Sequence, residues 1–278
     1  MATKRIARIL IPTDYSPGAK GAVRTGISLA KEIGAEVILF HSYNLPLVGA
    51  ADGVVLLDDV QKDQDMIMNK LIEEMKDEYP GVSISGLLEF GLAVDVMQHV
   101  VDENKIDLIV MGTKGETDSM NKVFGSIASH VVNNVKCPVL IIPKGHHQYN
   151  INEVLFATDF HFTNNIAEYL APFIQLAKEF TPFIHVVQFK KGKEPGPHVE
   201  NVEEQKMENL LKDVGHSFHF IEDGKVEDGL FEFAQKHHSD LIVIVTRHYS
   251  MWEKIFHQSL TKKVAMHSEI PVLVLHEG

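Results

Sequence analysis

The chain writes one unit twice, and this limits its fold more than any other feature. Ile9-Leu-Ile-Pro-Thr-Asp14-Tyr-Ser returns as Val154-Leu-Phe-Ala-Thr-Asp159-Phe-His. Ile106-Asp-Leu-Ile-Val110 returns as Ser239-Asp-Leu-Ile-Val243, and Cys137-Pro-Val-Leu-Ile-Ile142 as Ile270-Pro-Val-Leu-Val-Leu275. The order is kept in both copies, so the architecture is two versions of one domain. The polar stretch Lys144 to Asn150 has no apolar pattern and marks the joint. It gives a first domain over 1–145 and a second over 151–278.

Each half alternates short apolar runs with amphipathic segments. In the first half, strands are expected near 6–12, 35–42, 82–90, 107–112 and 138–143, and helices near 18–33, 58–78, 93–103 and 122–134. Runs such as Glu36-Val-Ile-Leu-Phe40 are apolar throughout, which implies burial on both faces and hence a parallel sheet covered by helices. Ser16-Pro17 reads as a cap followed by proline in the first turn, and Gly34 as the helix stop. Right-handed crossovers between parallel strands make each half a doubly wound α/β domain. In such sheets ligands sit outside the carboxyl ends of the strands, where the strand order reverses. Asp14 follows the first strand and Gly112 the fourth, so both line one crevice if those strands are neighbours.

Gly112-Thr-Lys-Gly115, nine residues, and then Gly125-Ser126 form the chemical signature of the first half. Glycines at a strand end let the backbone approach a bulky anion, and a Gly-Ser pair opening a helix offers free N–H groups at the positive end of its dipole. The pattern describes a pocket for a nucleotide's phosphates; the alternative is a tight turn with close packing. Lys114 and Lys122 flank the loop, between phosphate contact and solvent. The net charge of −12 argues against a broad grip on nucleic acid or anionic lipid, so phosphate would be held by local backbone donors.

With this motif and element order in hand, the chain resembles a tandem universal stress protein. Gly112, Gly115, Gly125 and Ser126 match that family's nucleotide motif, Ile11-Pro12-Thr13-Asp14-Tyr15-Ser16 its opening strand and acidic residue, and Cys137-Pro138-Val139-Leu140-Ile141 its closing strand. The resemblance implies five-stranded parallel sheets of order 3-2-1-4-5, like those of adenine nucleotide alpha hydrolases. It also implies domains that pair through their last strands and ATP with Mg or Mn at its phosphates. Pro12, Thr13 and Asp14 would then lie near the adenosine, and Ser42 would hold the base through its backbone. Met111, Gly112, Gly115, Gly125, Ser126 and Ile127 would wrap the ribose and phosphates.

The second half departs from the motif. Aligning Asp107 with Asp240 puts Val245 at the place of Gly112 and His248 at Gly115, while His257 and Gln258 replace Gly125 and Ser126. A β-branched residue at the first position fills space a phosphate needs, so nucleotide is expected in the first domain only. The second half is also more compact. The shortening is expected in the loop after its second strand, whose first-half counterpart, Asn44 to Asp59, reads as a lid, a partner contact or inert packing.

Histidines are divided five to eleven in favour of the second half. His161, His248 and His257 are weak metal candidates; surface histidines titrating near neutrality are the alternative. His216 and His219 should point to opposite faces of one strand. The single cysteine, Cys137, reads as a small buried hydrophobe. A signal peptide and a membrane span are both missing from the pattern, which points to the cytoplasm.

The functional expectation is a nucleotide-dependent regulatory module of the stress response. An unidentified protein partner would read a change in domain packing or in the pairing of two chains. A slow ATPase or phosphotransferase is the enzymatic alternative, although Glu116, Thr117, Asp118 and Ser119 have no evident orienting partner. A structural protein without a nucleotide role is the third reading.

Overall fold

A computed structural model describes residues 5–44, 57–113, 126–146, 150–158, 160, 165–190, 199–222, 226–246 and 270–277. The first half consists of β1 (Arg8–Pro12), α1 (Pro17–Ile33), β2 (Glu36–Tyr43), α2 (Leu57–Glu78), β3 (Ile84–Phe90), α3 (Ala93–Glu103), β4 (Leu108–Gly112), α4 (Ser126–Asn134) and β5 (Val139–Ile142). The second contains β6 (Glu153–Thr158), α5 (Ile166–Tyr169), α6 (Ala171–Phe180), β7 (Phe183–Lys190), α7 (Val199–Leu211), β8 (His216–Glu222), α8 (Val226–Lys236), β9 (Leu241–Thr246) and β10 (Val272–His276).

The ten strands form one sheet of order β3-β2-β1-β4-β5-β10-β9-β6-β7-β8. Within each half all pairings are parallel, in the order 3-2-1-4-5. The halves meet where β5 and β10 pair antiparallel, with Val272 opposite Ile141, Leu273 opposite Leu140 and Val274 opposite Val139. The closing strands thus bond to each other and the two sheets become one, as the family resemblance implied.

Alternation along the strands explains why the sheet is covered on both sides. Ile9, Ile11, Leu108, Val110 and Leu140 pack into one core with α1 and α2, and Val154, Phe156, Val243 and Leu273 continue that core under α6 and α7. Leu10, Ile109, Met111, Val139 and Ile141 face the other core with α3 and α4, and Leu155, Ile242 and Val274 extend it to α8. Each core runs through both halves. Further ties cross the joint: the Ile6 N–H donates to Gln175 Oε1, and His276 Nε2 donates to the Val132 carbonyl of α4 at 2.8 Å.

α1 forms as its sequence dictates. The Ser16 hydroxyl accepts from Ala19 N–H at 3.2 Å, proline opens the helix, and Gly34 closes it at φ 66° in the left-handed region. Gly26 lets α1 lie close on the sheet, since a Cβ there would stand 2.6 Å from Ile11 Cδ1. Within the described residues α2 covers 22 positions and α7 covers 13, and the stretches before them, 45–56 and 191–198, where the shortening of the second half was expected, lie outside the described residues. Among the described residues no helix is long and apolar enough to cross a membrane.

Candidate functional site

The crevice begins where β1 ends. Thr13 is buried, and its N–H donates to the Phe40 carbonyl at 2.8 Å. Its hydroxyl accepts from Tyr15 N–H at 3.0 Å, and Asp14 Oδ1 accepts from Ser16 N–H at 3.1 Å. These short-range bonds turn the chain sharply into α1, with Tyr15 left-handed at φ 64°. The Asp14 carboxylate is therefore held on a rigid corner.

His41 of β2 buttresses that corner. Its Nδ1 donates to the Thr13 carbonyl at 2.8 Å, and its ring lies 4.5 Å from that of Tyr15. Burial pushes His41 below the usual histidine range, opposed by the bond to Thr13 and the charge of Asp14. The imidazole is thus neutral near pH 7, which suits its role as a single-proton donor to Thr13. Burial, aided by Asp65, pushes the Tyr15 hydroxyl up, and among the described residues that hydroxyl has no hydrogen-bond partner.

β4 supplies the opposite wall. It pairs in parallel with β1, Ile9 with Leu108 and Leu10 with Ile109, and the two strands end at Pro12 and Gly112. Met111 is buried, Gly112 is half-buried opposite Ile142, and Thr113 N–H donates to the Ile142 carbonyl at 3.2 Å. β1 and β4 are the strands between which the order reverses, so the structure brings Pro12, Thr13, Asp14, Met111 and Gly112 to one place. Ser42 lies one strand further out on β2, half-buried beside Glu89 of β3. α4 begins at Ser126, with Ile127 exposed on its first turn. Gly115, Gly125, Lys114, Lys122 and the Glu116–Ser119 stretch lie outside the described residues, as do 45–56 of the expected lid.

The second half repeats the scaffold and changes one wall. Thr158 Oγ1 accepts from Phe160 N–H at 3.0 Å, and Phe160 is left-handed at φ 53°. Asp107 Oδ2 accepts from Ala7 and Arg8 N–H at 2.9 and 3.1 Å; Asp240 Oδ2 does the same for Asn152 and Glu153 at 2.8 and 3.1 Å. Val154 pairs with Leu241 as Ile9 does with Leu108, and Leu275 opposes Val245 as Ile142 opposes Gly112. Val245 therefore occupies the Gly112 position in the fold as well as in the alignment. Asp159, His161, His248, His257 and Gln258 lie outside the described residues.

Three features escaped the sequence reading. The His41 brace joins residues far apart in the chain, and nothing local marks it. The paired Asp107 and Asp240 clamps were visible as a repeat, but their role was not. In the second half, His185, His219 and His237 gather around one point, a grouping that spacing along the chain does not show. Cross-strand neighbours are invisible to spacing along one strand. His216 and His219 do face opposite ways: His216 meets Glu208 of α7, and His219 meets Phe233 of α8. Among the described residues no group of three or more His, Cys, Asp or Glu side chains is arranged to hold a metal ion. Cys137 is buried, its thiol 3.7 Å from the Ile106 carbonyl.

Comparisons with known proteins agree with the fold. The universal stress protein family model matches residues 5–143 and 183–276. A universal stress protein of Methanocaldococcus jannaschii is 34% identical over 140 residues, covering 49% of this chain and 82% of that protein. A second from the same archaeon is 26% identical over 153 residues, 49% of this chain and 94% of its own length. The crystal structure of a universal stress protein from Archaeoglobus fulgidus superimposes with a TM-score of 0.73 at 16% identity, over 99% of this chain and 97% of that one. A doubled 3-2-1-4-5 sheet joined through its last strands, matched by the family model over most of its length, places this chain in the universal stress protein family, with two such domains in tandem.

Proposed function

We propose that this universal stress protein is a nucleotide-dependent regulatory module of the stress response, binding ATP or another adenine nucleotide in its first domain, residues 1–145. The second domain, 151–278, serves as its structural counterpart. The observation that carries this reading is the equivalence of Gly112 and Val245 in otherwise matching strand registers. One repeat keeps the end of its fourth strand bare beside Thr13 and Asp14; the other puts a β-branched side chain there.

The residues present fit an adenine nucleotide. Asp14 supplies a carboxylate that can accept from ribose hydroxyls or the adenine amino group, and in this reading the Ser42 backbone would hold the base. Gly112 carries no side chain where phosphate would approach, and Ser126 opens α4, whose amino end favours an anion. Gly115, Gly125 and Ile127 complete the wrap in this reading. Mg2+ or Mn2+ would neutralise phosphate charge in this reading. A cytoplasmic location and an unidentified protein partner belong to the same reading. Occupancy would act on that partner only through different affinity for two states of the molecule.

The experiment is direct. Purified protein is denatured and the released small molecules are identified by mass spectrometry, then adenine nucleotide is titrated into emptied protein. About one adenine nucleotide per chain is expected. Gly112→Val should abolish binding while circular dichroism stays unchanged. Binding that survives in Gly112→Val overturns the assignment.

A further inference from the structure

We infer that His185, His219 and His237 act with Glu153 as one proton-responsive cluster that loosens the outer edge of the second domain as the pH falls below neutrality. The cluster sits at the amino ends of the strands, the opposite end of the sheet from the Gly112 position. Glu153 is the first residue of β6 and His185 the third of β7. The register sets Ser217 of β8 opposite His185, with His219 one pleat further on the same face. The end of α8 lays Phe233 and His237 over them. Ring centroids are 4.5 Å apart for His185 and His237, 5.2 Å for His185 and His219, and 5.6 Å for His219 and His237. Phe233 stacks on His237 at 4.1 Å.

The hydrogen bonds admit one extra proton and resist a second. Glu153 Oε2 accepts from His185 Nε2 at 3.0 Å, which leaves His185 Nδ1 as an acceptor in the neutral ring. His219 Nε2 stands 3.1 Å from that Nδ1 and serves as its donor, with the Ser217 hydroxyl 2.8 Å from His219 Nε2 and 3.3 Å from His185 Nδ1. A proton on His185 Nδ1 is accommodated if His219 moves its own proton to the far nitrogen, and Glu153 balances the charge. A further proton on His219 aims two N–H groups at each other across 3.1 Å.

The charged groups facing the cluster are mostly cationic or become so. Glu153 comes from β6, His185 from β7, His219 from β8, and Lys236, His237 and the following His238 from the end of α8. Burial, then the neighbouring His185, His237 and Lys236, hold His219 below the ordinary histidine value. Burial, His185 and Lys236 do the same for His237, with Glu153 opposing. The unfolded chain therefore takes up protons first as the pH falls. Stability from this edge is complete above about pH 6.5 and declines below it.

The first domain provides an internal control. The same registers and the equal lengths of α3 and α8 place Ile38, Ser85, Leu87 and Asn104 where His185, Ser217, His219 and His237 stand. Three apolar or neutral positions in one repeat have become imidazoles in the other.

Amide hydrogen exchange on the full chain, corrected for intrinsic chemistry, tests the inference between about pH 7.5 and about pH 5.5. Protection over 216–236 should fall about tenfold more than over 84–103. The double variant His219→Leu, His237→Asn, which restores the first-domain residues, should remove the difference. Equal changes in the two segments, or a difference that persists in the double variant, overturns the inference. Should that variant not fold, NMR titration of the wild-type rings decides: coupled steps for His185, His219 and His237 support the cluster, and independent titrations overturn it.

Discussion

Single residues carry most of the functional argument. Gly112 and Val245 share one place in two matching frameworks and differ by a β-branched side chain. Asp107 and Asp240 share another place and do the same work, each tying the start of a fourth strand to the residues that lead into a first strand. Replacing either by Ala removes the acceptor from two partly exposed backbone donors and should cost about 1 kcal/mol, with similar losses at the two sites in urea titrations. His41 gives a pH prediction of definite sign. Its folded value lies below its unfolded one, so its contribution is complete above about pH 6.5 and shrinks as the pH falls. His41→Gln should flatten the stability profile between about pH 5 and about pH 7 while lowering stability at pH 7 through the lost bond to Thr13. An unchanged slope in the variant would remove His41 as a source of acid sensitivity.

At the scale of elements, local chemistry was legible. Ser16 at the start of α1, proline after it and Gly34 at the end were readable as punctuation, and the helix runs between them. Ser16→Ala should cost about 1 kcal/mol. Gly26→Ala should cost about 1–3 kcal/mol by overpacking against the fully buried Ile11, more than helix propensity returns. Thermal melts of the two variants separate capping from packing, since only Gly26→Ala should disturb side chains of β1 and β4. The histidine cluster was hidden. His219 was correctly set on the face opposite His216, but its neighbours come from β7 and α8, whose distance depends on the fold.

The whole molecule is one sheet with two continuous cores. Because β5 and β10 are bonded and both cores cross the joint, the two halves should unfold together. Amides of β1 and β6 are expected to exchange through openings of equal free energy at neutral pH; protection differing by more than about tenfold would mean independent domains. His276, bonded to the Val132 carbonyl of α4, is a physical link between the second domain and the helix that opens at Ser126.

The sequence alone determined the doubled unit, the parallel sheets, the element bounds of the first half to within a few residues and the loss of glycine in the second copy. Each of these is written in periodicity or in a residue's own conformational needs. Tertiary structure decided the His41 brace, the two aspartate clamps, the gathering of His185, His219 and His237, and the bonding of β5 to β10 in a particular register. These depend on distances between segments far apart in the chain, and such distances exist only once both layers of helices have closed on the sheet.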